Sequence, residues 1–215
     1  MKSITWQSPS NIALVKYWGK RGNQLPSNPS LSFTLDECHT TTQIRWEKGS
    51  GKTELLFNGE RLEKFTARAS AYILSLGNML PFLAELDLHI DSKNNFPHSA
   101  GIASSASAMS SLALCLCSLE EEVTGTRLPE EDFFRKASLL ARLGSGSASR
   151  SVYGGFVSWG ASPAIDGSSD EYASPLSGEV HEHFRDMRDT ILVVDRGTKA
   201  VSSSAGHRLT DQHPY

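Results

Sequence analysis

The chain has 215 residues, enough for one sizeable core or for one domain and part of another. Its composition is ordinary for a globular protein, with 39% hydrophobic and 21% charged residues. A formal net charge of −3 argues against a nucleic-acid partner, so any bound anion must be held by a few converging cations.

In chain order, short strands come first. Ile4–Trp6, Ile12–Val15, Leu31–Leu35 and Thr40–Trp46 are β-branched or alternating runs separated by Pro, Ser and Asn. The first begins so early that no secretory leader is expected. Gly49-Ser50-Gly51-Lys52-Thr53 imitates the end of a Walker A loop. Trp46 stands where that pattern needs another glycine, and a strand follows instead of a helix, so a solvated turn is expected. Leu55–Phe57 leads into Asn58-Gly59, a strong hairpin signal. From Glu63 the period becomes helical, with Phe65, Ala69, Tyr72, Ile73, Leu76 and Leu80 on one face.

Leu86–Ile90 alternates as a further strand, and residues 91–104 read as a polar loop. A long apolar helix is expected from about Ser105 to Leu119, with Met109, Leu112, Ala113 and Leu116 facing inward. Pro129-Glu130-Glu131 opens another helix, with acids suited to the helix dipole, that ends near Gly144. A strand at Val157–Trp159, a Ser/Gly/Pro-rich loop over 161–177 and an apolar strand at Ile191–Val194 complete the pass. Strands first and helices later, without regular βαβ alternation, indicate an α+β fold. No apolar run approaches membrane-spanning length.

Three cysteines, Cys38, Cys115 and Cys117, without a leader favour reduced thiols and a cytoplasmic location. Cys115 and Cys117 stand two apart on a helix and therefore on different faces, so they read as buried hydrophobes rather than a metal pair. His181 and His183 could share a strand face. A charged surface segment accounts for them more simply than a two-ligand metal site.

Three segments carry chemistry. Pro97–Ala108 is a small-residue loop between a strand and the longest helix, where unpaired first-turn N–H groups and the dipole favour a phosphate. Gly101 and Ala103 permit close approach, and Ser104 and Ser105 offer hydroxyls. A serine N-cap would explain one of these residues but not the whole loop. Gly144-Ser145-Gly146-Ser147-Ala148-Ser149-Arg150, past a helix end, combines paired serines with a fork-shaped guanidinium. Asn11–Arg21 sets Lys16, Lys20 and Arg21 beside Tyr17 and Trp18, which reads equally as an anion site or a solvated strand end.

Together these segments resemble the diphosphomevalonate decarboxylase family of the GHMP superfamily of small-molecule kinases. The matching runs are SPSNIALVKYWGKRGNQLPSNPSLSFTL, NNFPHSAGIASSASA, GSGSASRSVYGGFVSWG and, more weakly, VVDRGTKAVSSSAGH. The phosphate loop alone points to the superfamily, whereas KYWGK and GSGSASRS are specific to the decarboxylase branch.

The resemblance implies a GHMP-type two-domain α+β fold. Residues 1–187 would form the ribosomal-protein-like N-terminal domain, and 188–215 the start of an incomplete C-terminal domain. Asn94, Gly101, Ile102, Ala103, Ser104, Ser105 and Ser107 would bind ATP, with Ser105 contacting the transferring phosphoryl group or its Mg2+. Tyr17, Lys20, Ser145, Ser147 and Arg150 would hold the substrate diphosphate, joined by Arg68 from the first helix. Trp18, Gly19, Gly146, Ala148, Ser149 and Ser204 would line the same site. Asn11 and Lys16 would face the reacting end, so the catalytic set would be Asn11, Lys16, Ser105 and Arg150.

The implied reaction is ATP-dependent decarboxylation of (R)-5-diphosphomevalonate to isopentenyl diphosphate, with ADP, phosphate and CO2. The expected partners are ATP and that substrate, with no nucleic acid, no membrane and a homodimeric assembly. The family's catalytic aspartate would fall past residue 215, so the chain by itself is expected to be inactive and to self-associate through the strand at Ile191. His207 stands where the family more often has methionine. The alternatives are a GHMP kinase that stops at phosphorylation, or a non-catalytic nucleotide-binding module.

Overall fold

A computed structural model describes residues 2–97, 101–176, 178 and 180–192. The elements are β1 (Lys2–Val15), β2 (Lys20–Arg21), β3 (Leu25–Pro26), β4 (Ser30–Lys48), β5 (Thr53–Phe57), α1 (Glu63–Ser75), β6 (Leu86–Asn94), α2 (Ser104–Thr124), α3 (Glu130–Gly144), β7 (Phe156–Trp159), β8 (Ala173–Pro175) and α4 (Glu182–Arg185). Two 3-10 segments, Pro81–Glu85 and Gly146–Val152, connect them. The α+β class holds.

β4 is the spine of the sheet. It pairs antiparallel with β1 along one edge, while β6 takes the second half of its other edge and β7 the first. β5 extends this arrangement beyond β6, and β8 extends it beyond β7. The four short strands expected at the start are therefore two long ones. Their interruptions are irregularities within the β1–β4 ladder: the register slips between Pro9 and Ser10, where proline's missing N–H is tolerated.

The Asn58-Gly59 signal gives a minimal hairpin, in which Phe57 and Glu60 exchange both backbone bonds at 2.8 and 3.0 Å, but no second strand follows. Both residues have positive φ, 51° and 82°, yet β5 runs parallel to β6 and α1 makes the crossover. The turn pins the end of β6 instead. Asn58 donates its N–H to the Ser92 carbonyl at 2.9 Å, and its Oδ1 accepts the Asn94 N–H at 3.0 Å. The Walker-like segment is an ordinary turn as expected. Asp87 Oδ1 accepts the Ser50 and Lys52 N–H groups at 2.8 and 2.9 Å, which holds its carboxyl below the usual range.

β6 runs on to Asn94 and α2 starts at Ser104, so the loop expected over 91–104 is shorter. α1 stops at Ser75, but Leu76 and Leu80 remain fully buried in the turns that follow. α2 packs along β1 and β4 with Met109, Leu112, Ala113 and Leu116 buried, and α1 and α3 complete the layer. Cys115 and Cys117 are both in this core, and burial pushes each thiol up to about 12. The loop over 161–177 contains β8, which the sequence pattern did not signal. His181 and His183 lie at a short helix, α4, rather than on a strand. Ile191 and Leu192 have no regular structure, and Val193, Val194 and Ser204 fall outside the described residues. Among the described residues no helix is long and apolar enough to cross a membrane.

Candidate functional site

The long helix α2 begins without a side-chain cap. Its N-cap is Ala103, in the left-handed region at φ 52°, ψ 40°, and Gly101 just before it has φ 90°. A left-handed alanine is strained by about 1 kcal/mol. The serine N-cap explanation therefore does not apply, and the positive φ at Gly101 and Ala103 sets the entry into the helix. Ala103→Gly is expected to raise stability by up to about 1 kcal/mol, read as a rise of a few degrees in melting temperature; an unchanged or lower value would contradict the strain. Ser105 is exposed in that first turn. Ser107 is turned inward and fully buried, its Oγ 2.6 Å from Thr40 Oγ1, so only its backbone is left for a phosphate.

The second segment sits against the first. Gly146–Val152 winds as a 3-10 turn directly after α3, and its tightness has a steric cause: a Cβ on Gly146 would lie 2.7 Å from the Trp159 ring. Ser145 and Ser147 are half-buried, whereas Ser149 is buried and donates to the Gly146 carbonyl at 2.8 Å. Ala148 is fully buried.

Arg150 is the centre of the arrangement. It is 2% exposed, yet no carboxylate among the described residues pairs with it. Nη1 donates to Ser30 Oγ at 2.5 Å and Nη2 to Asn11 Oδ1 at 3.1 Å, while Nε is buried without a partner. Burial pulls its pKa down to about 10, still protonated at neutral pH. A buried, incompletely bonded cation is unfavourable by itself and suits an anionic ligand.

Tyr17 forms the wall beside it, edge-on to Trp159 at 4.9 Å between ring centroids. The Arg150 guanidinium and the Lys20 ammonium stand 5.7 and 5.8 Å from the Tyr17 centroid. Burial lowers the Lys20 pKa, and repulsion from Arg68 lowers it further, so Arg68 belongs to the same cationic field. Asn11 serves as a bracket: its Nδ2 donates to the Ser147 carbonyl at 3.1 Å and to Ser151 Oγ at 2.7 Å. Lys16 and Trp18 are exposed, and Gly19 makes the bend between Trp18 and Lys20 at φ 72°.

Three positioning residues were not anticipated from the sequence. Asn28 clamps the 16–18 loop, accepting the Trp18 N–H at 2.6 Å and donating to the Lys16 carbonyl at 3.0 Å. Ser30 relays Arg150 to the Trp159 carbonyl. Arg142, buried on α3, donates to the Asn23 and Glu171 carbonyls and so fixes the β2–β3 tip that carries Lys20. Each acts through a bond far away in sequence, so local pattern carries no signal for it.

A cleft of about 630 Å³, part of it open to solvent, lies between α1, α2 and the sheet. Arg68, Ser104 and Ser105 line it together with apolar residues such as Phe57, Phe65 and Leu112, and Thr42 and Ser92 contribute hydroxyls from the sheet. The phosphate loop and the cationic cluster thus share a border at Arg68. His181, Glu182 and His183 are exposed and close together, but the two imidazoles stack 13° from parallel. Stacked rings aim their in-plane lone pairs alongside one another, and His181 Nδ1 already accepts the His183 N–H. The surface-segment interpretation is the better one.

Comparison with known proteins identifies the family. Residues 8–173 match the family described as the diphosphomevalonate decarboxylase-like N-terminal domain. The diphosphomevalonate decarboxylase of Ganoderma lucidum is 38% identical over 221 residues, covering 96% of this chain and 52% of that protein. The solved mevalonate diphosphate decarboxylase from Staphylococcus aureus superposes with a TM-score of 0.74 at 35% identity, over 96% of this chain and 59% of that one. A structure of the Enterococcus faecalis mevalonate diphosphate decarboxylase, described for ATP binding mediated by mevalonate diphosphate, gives 0.64 at 34% identity over 80% and 50%. The chain spans about half the length of the curated relatives it matches.

Proposed function

The chain belongs to the family with a diphosphomevalonate decarboxylase-like N-terminal domain, and from that premise we propose that it carries the nucleotide loop and diphosphate cradle of an ATP-dependent decarboxylase acting on (R)-5-diphosphomevalonate. One observation supports this most. Lys20 and Arg150 stand over Tyr17, and Arg68, which lines the neighbouring cleft, repels the Lys20 ammonium, with no carboxylate partner for any of the three among the described residues. A structural ion-pair network would contain its own acids. This cluster lacks them, as a diphosphate site should.

The chemistry suits these groups. Direct loss of CO2 from a 3-hydroxy acid would leave an unstabilised carbanion at C2. Transfer of the γ-phosphoryl group of ATP to the C3 oxygen, with ADP leaving and the hydroxyl proton released, makes a leaving group instead. Phosphate then departs with positive charge developing at C3, and the C–CO2 bond pair becomes the alkene of isopentenyl diphosphate. The α2 N–H groups would hold the nucleotide phosphates, and the cations would anchor the diphosphate, which fixes C3 relative to them. Ser105, exposed at the helix start, would offer a hydroxyl to a bound magnesium ion, which would supply charge neutralisation for the transferring group. The division into domains at 187/188, a homodimer and a cytoplasmic location belong to the same proposal. Three free thiols support the last, and sedimentation reads the second.

Carboxyl-labelled diphosphomevalonate with ATP and magnesium, supplied to the chain completed to the length of its relatives, is the test. Labelled CO2 is the expected product, and a phosphorylated acid that keeps its carboxyl would make the protein a kinase. In that assay Ser105→Ala should lower turnover roughly tenfold or more while nucleotide affinity stays within about threefold, because the hydroxyl acts mainly on the transferring group. Equal losses in both would move Ser105 to ground-state binding.

A further inference from the structure

Two adjacent cations on β2, Lys20 and Arg21, have different surroundings. Neighbouring strand residues point to opposite sides. Lys20 reaches in towards the Tyr17 ring, and its Nζ also donates to Gln24 Oε1 at 2.5 Å. Arg21 reaches out. Its Nη2 pairs with Asp170 Oδ2, and its Nε donates across the hairpin to the Pro26 carbonyl at 3.3 Å. The β2–β3 ladder has only the register pairs Lys20–Pro26 and Arg21–Leu25 and stands apart from the main sheet, so it cannot hold its own place. Lys20 does not hold it either, because partial burial and the charge of Arg68 both disfavour its ammonium there. Arg142 braces the far end of the tip at Asn23, and Asp170 braces the end next to Lys20. Asp170 is itself fixed in the β7–β8 loop. Its Oδ1 accepts the Ala161 N–H at 2.8 Å, and its carbonyl accepts the Trp159 Nε1 proton at 2.9 Å. That indole is the ring packed edge-on to Tyr17. One residue therefore joins the tip that carries Lys20 to the wall that Lys20 faces.

We propose that Asp170 is a positioning residue for the diphosphate site: by holding Arg21 on the outer side of β2, it keeps the Lys20 ammonium turned in against Tyr17. The proposal rests on the reading of that cluster as a diphosphate cradle, and it adds a residue that touches no ligand itself. Its effect has a distinctive sign. An acid near an anion site repels the anion, so charge alone predicts tighter binding once Asp170 is neutralised. Positioning predicts weaker binding, because the released hairpin lets Lys20 swing away.

Calorimetric titration of the chain with diphosphomevalonate and, separately, with ATP-magnesium tests this role. In Asp170→Asn the amide oxygen can still accept the Ala161 N–H, which keeps the loop closed, while the NH2 group meets Arg21 donor to donor. Diphosphomevalonate affinity should fall about threefold to fivefold, the upper range for an exposed ion pair, with nucleotide affinity within about twofold. Arg21→Gln should reproduce the fall, Arg21→Lys should stay within about twofold of wild type, and the double variant should bind no more weakly than either single one. Asp170→Asn made on a Lys20→Met background should bring no further loss. A purely structural role would add its loss on that background and would lower both affinities together. Unchanged or tighter diphosphomevalonate binding in Asp170→Asn, with wild type binding normally, would overturn the positioning role alone. Absence of diphosphomevalonate binding by folded wild type would overturn the cradle with it.

Discussion

Replacing Arg150 by lysine should weaken diphosphomevalonate binding by roughly ten- to a hundredfold and leave nucleotide affinity within about twofold. The guanidinium is committed on one side to Ser30 and Asn11, and its Nε remains buried without a partner. An ammonium is a compact point charge on a flexible four-carbon stem, with its donors gathered on one nitrogen and a shorter reach. It can keep one of these bonds or reach the ligand, but it cannot reproduce a planar fork that does both. The fold should survive, since Arg150 makes no ion pair whose loss would strand a buried acid. Calorimetry with both ligands, run beside thermal melting, separates these effects. Equal affinities for the substrate would remove Arg150 from the cradle.

Gly160→Ala is expected to cost about 3 kcal/mol or more of stability, a fall in melting temperature of roughly 10 °C. Gly160 has φ 110°, a region L-residues seldom enter, and an added Cβ would lie 2.6 Å from Pro29 Cα. That neighbour is backbone and cannot rotate aside. The next residue back, Asn28, clamps the loop bearing Tyr17, so the strain should travel into the cradle as well. Diphosphomevalonate affinity should therefore fall more than nucleotide affinity. A variant that melts like wild type would show that this contact is not tight.

Legibility from sequence depended on how local each cause was. Periodicity found α1, α2 and α3, because their buried faces repeat within a few residues. It divided β1 and β4, because proline and polar residues mark a ladder irregularity as readily as a turn. The Asn-Gly dipeptide determined the turn but not what followed it: parallel pairing of β5 with β6 comes from α1 packing on the sheet, outside any short window. The three anion-holding segments were recognisable because glycine, serine and cations cluster there without apolar period. Their supports were not. Asn28, Ser30 and Arg142 resemble ordinary strand, loop or helix-face residues until the fold brings Trp18, Arg150 and Asn23 to them.

The central claim, that the cationic cluster around Tyr17 is a diphosphate cradle, is tested most directly by titrating the chain calorimetrically with (R)-5-diphosphomevalonate and with mevalonate lacking the diphosphate. The account predicts saturable binding of the first at one site per chain, weakened in Arg150→Lys, and no measurable binding of the second. Equal binding of the two compounds, or no binding of the diphosphate by a folded protein, would contradict it.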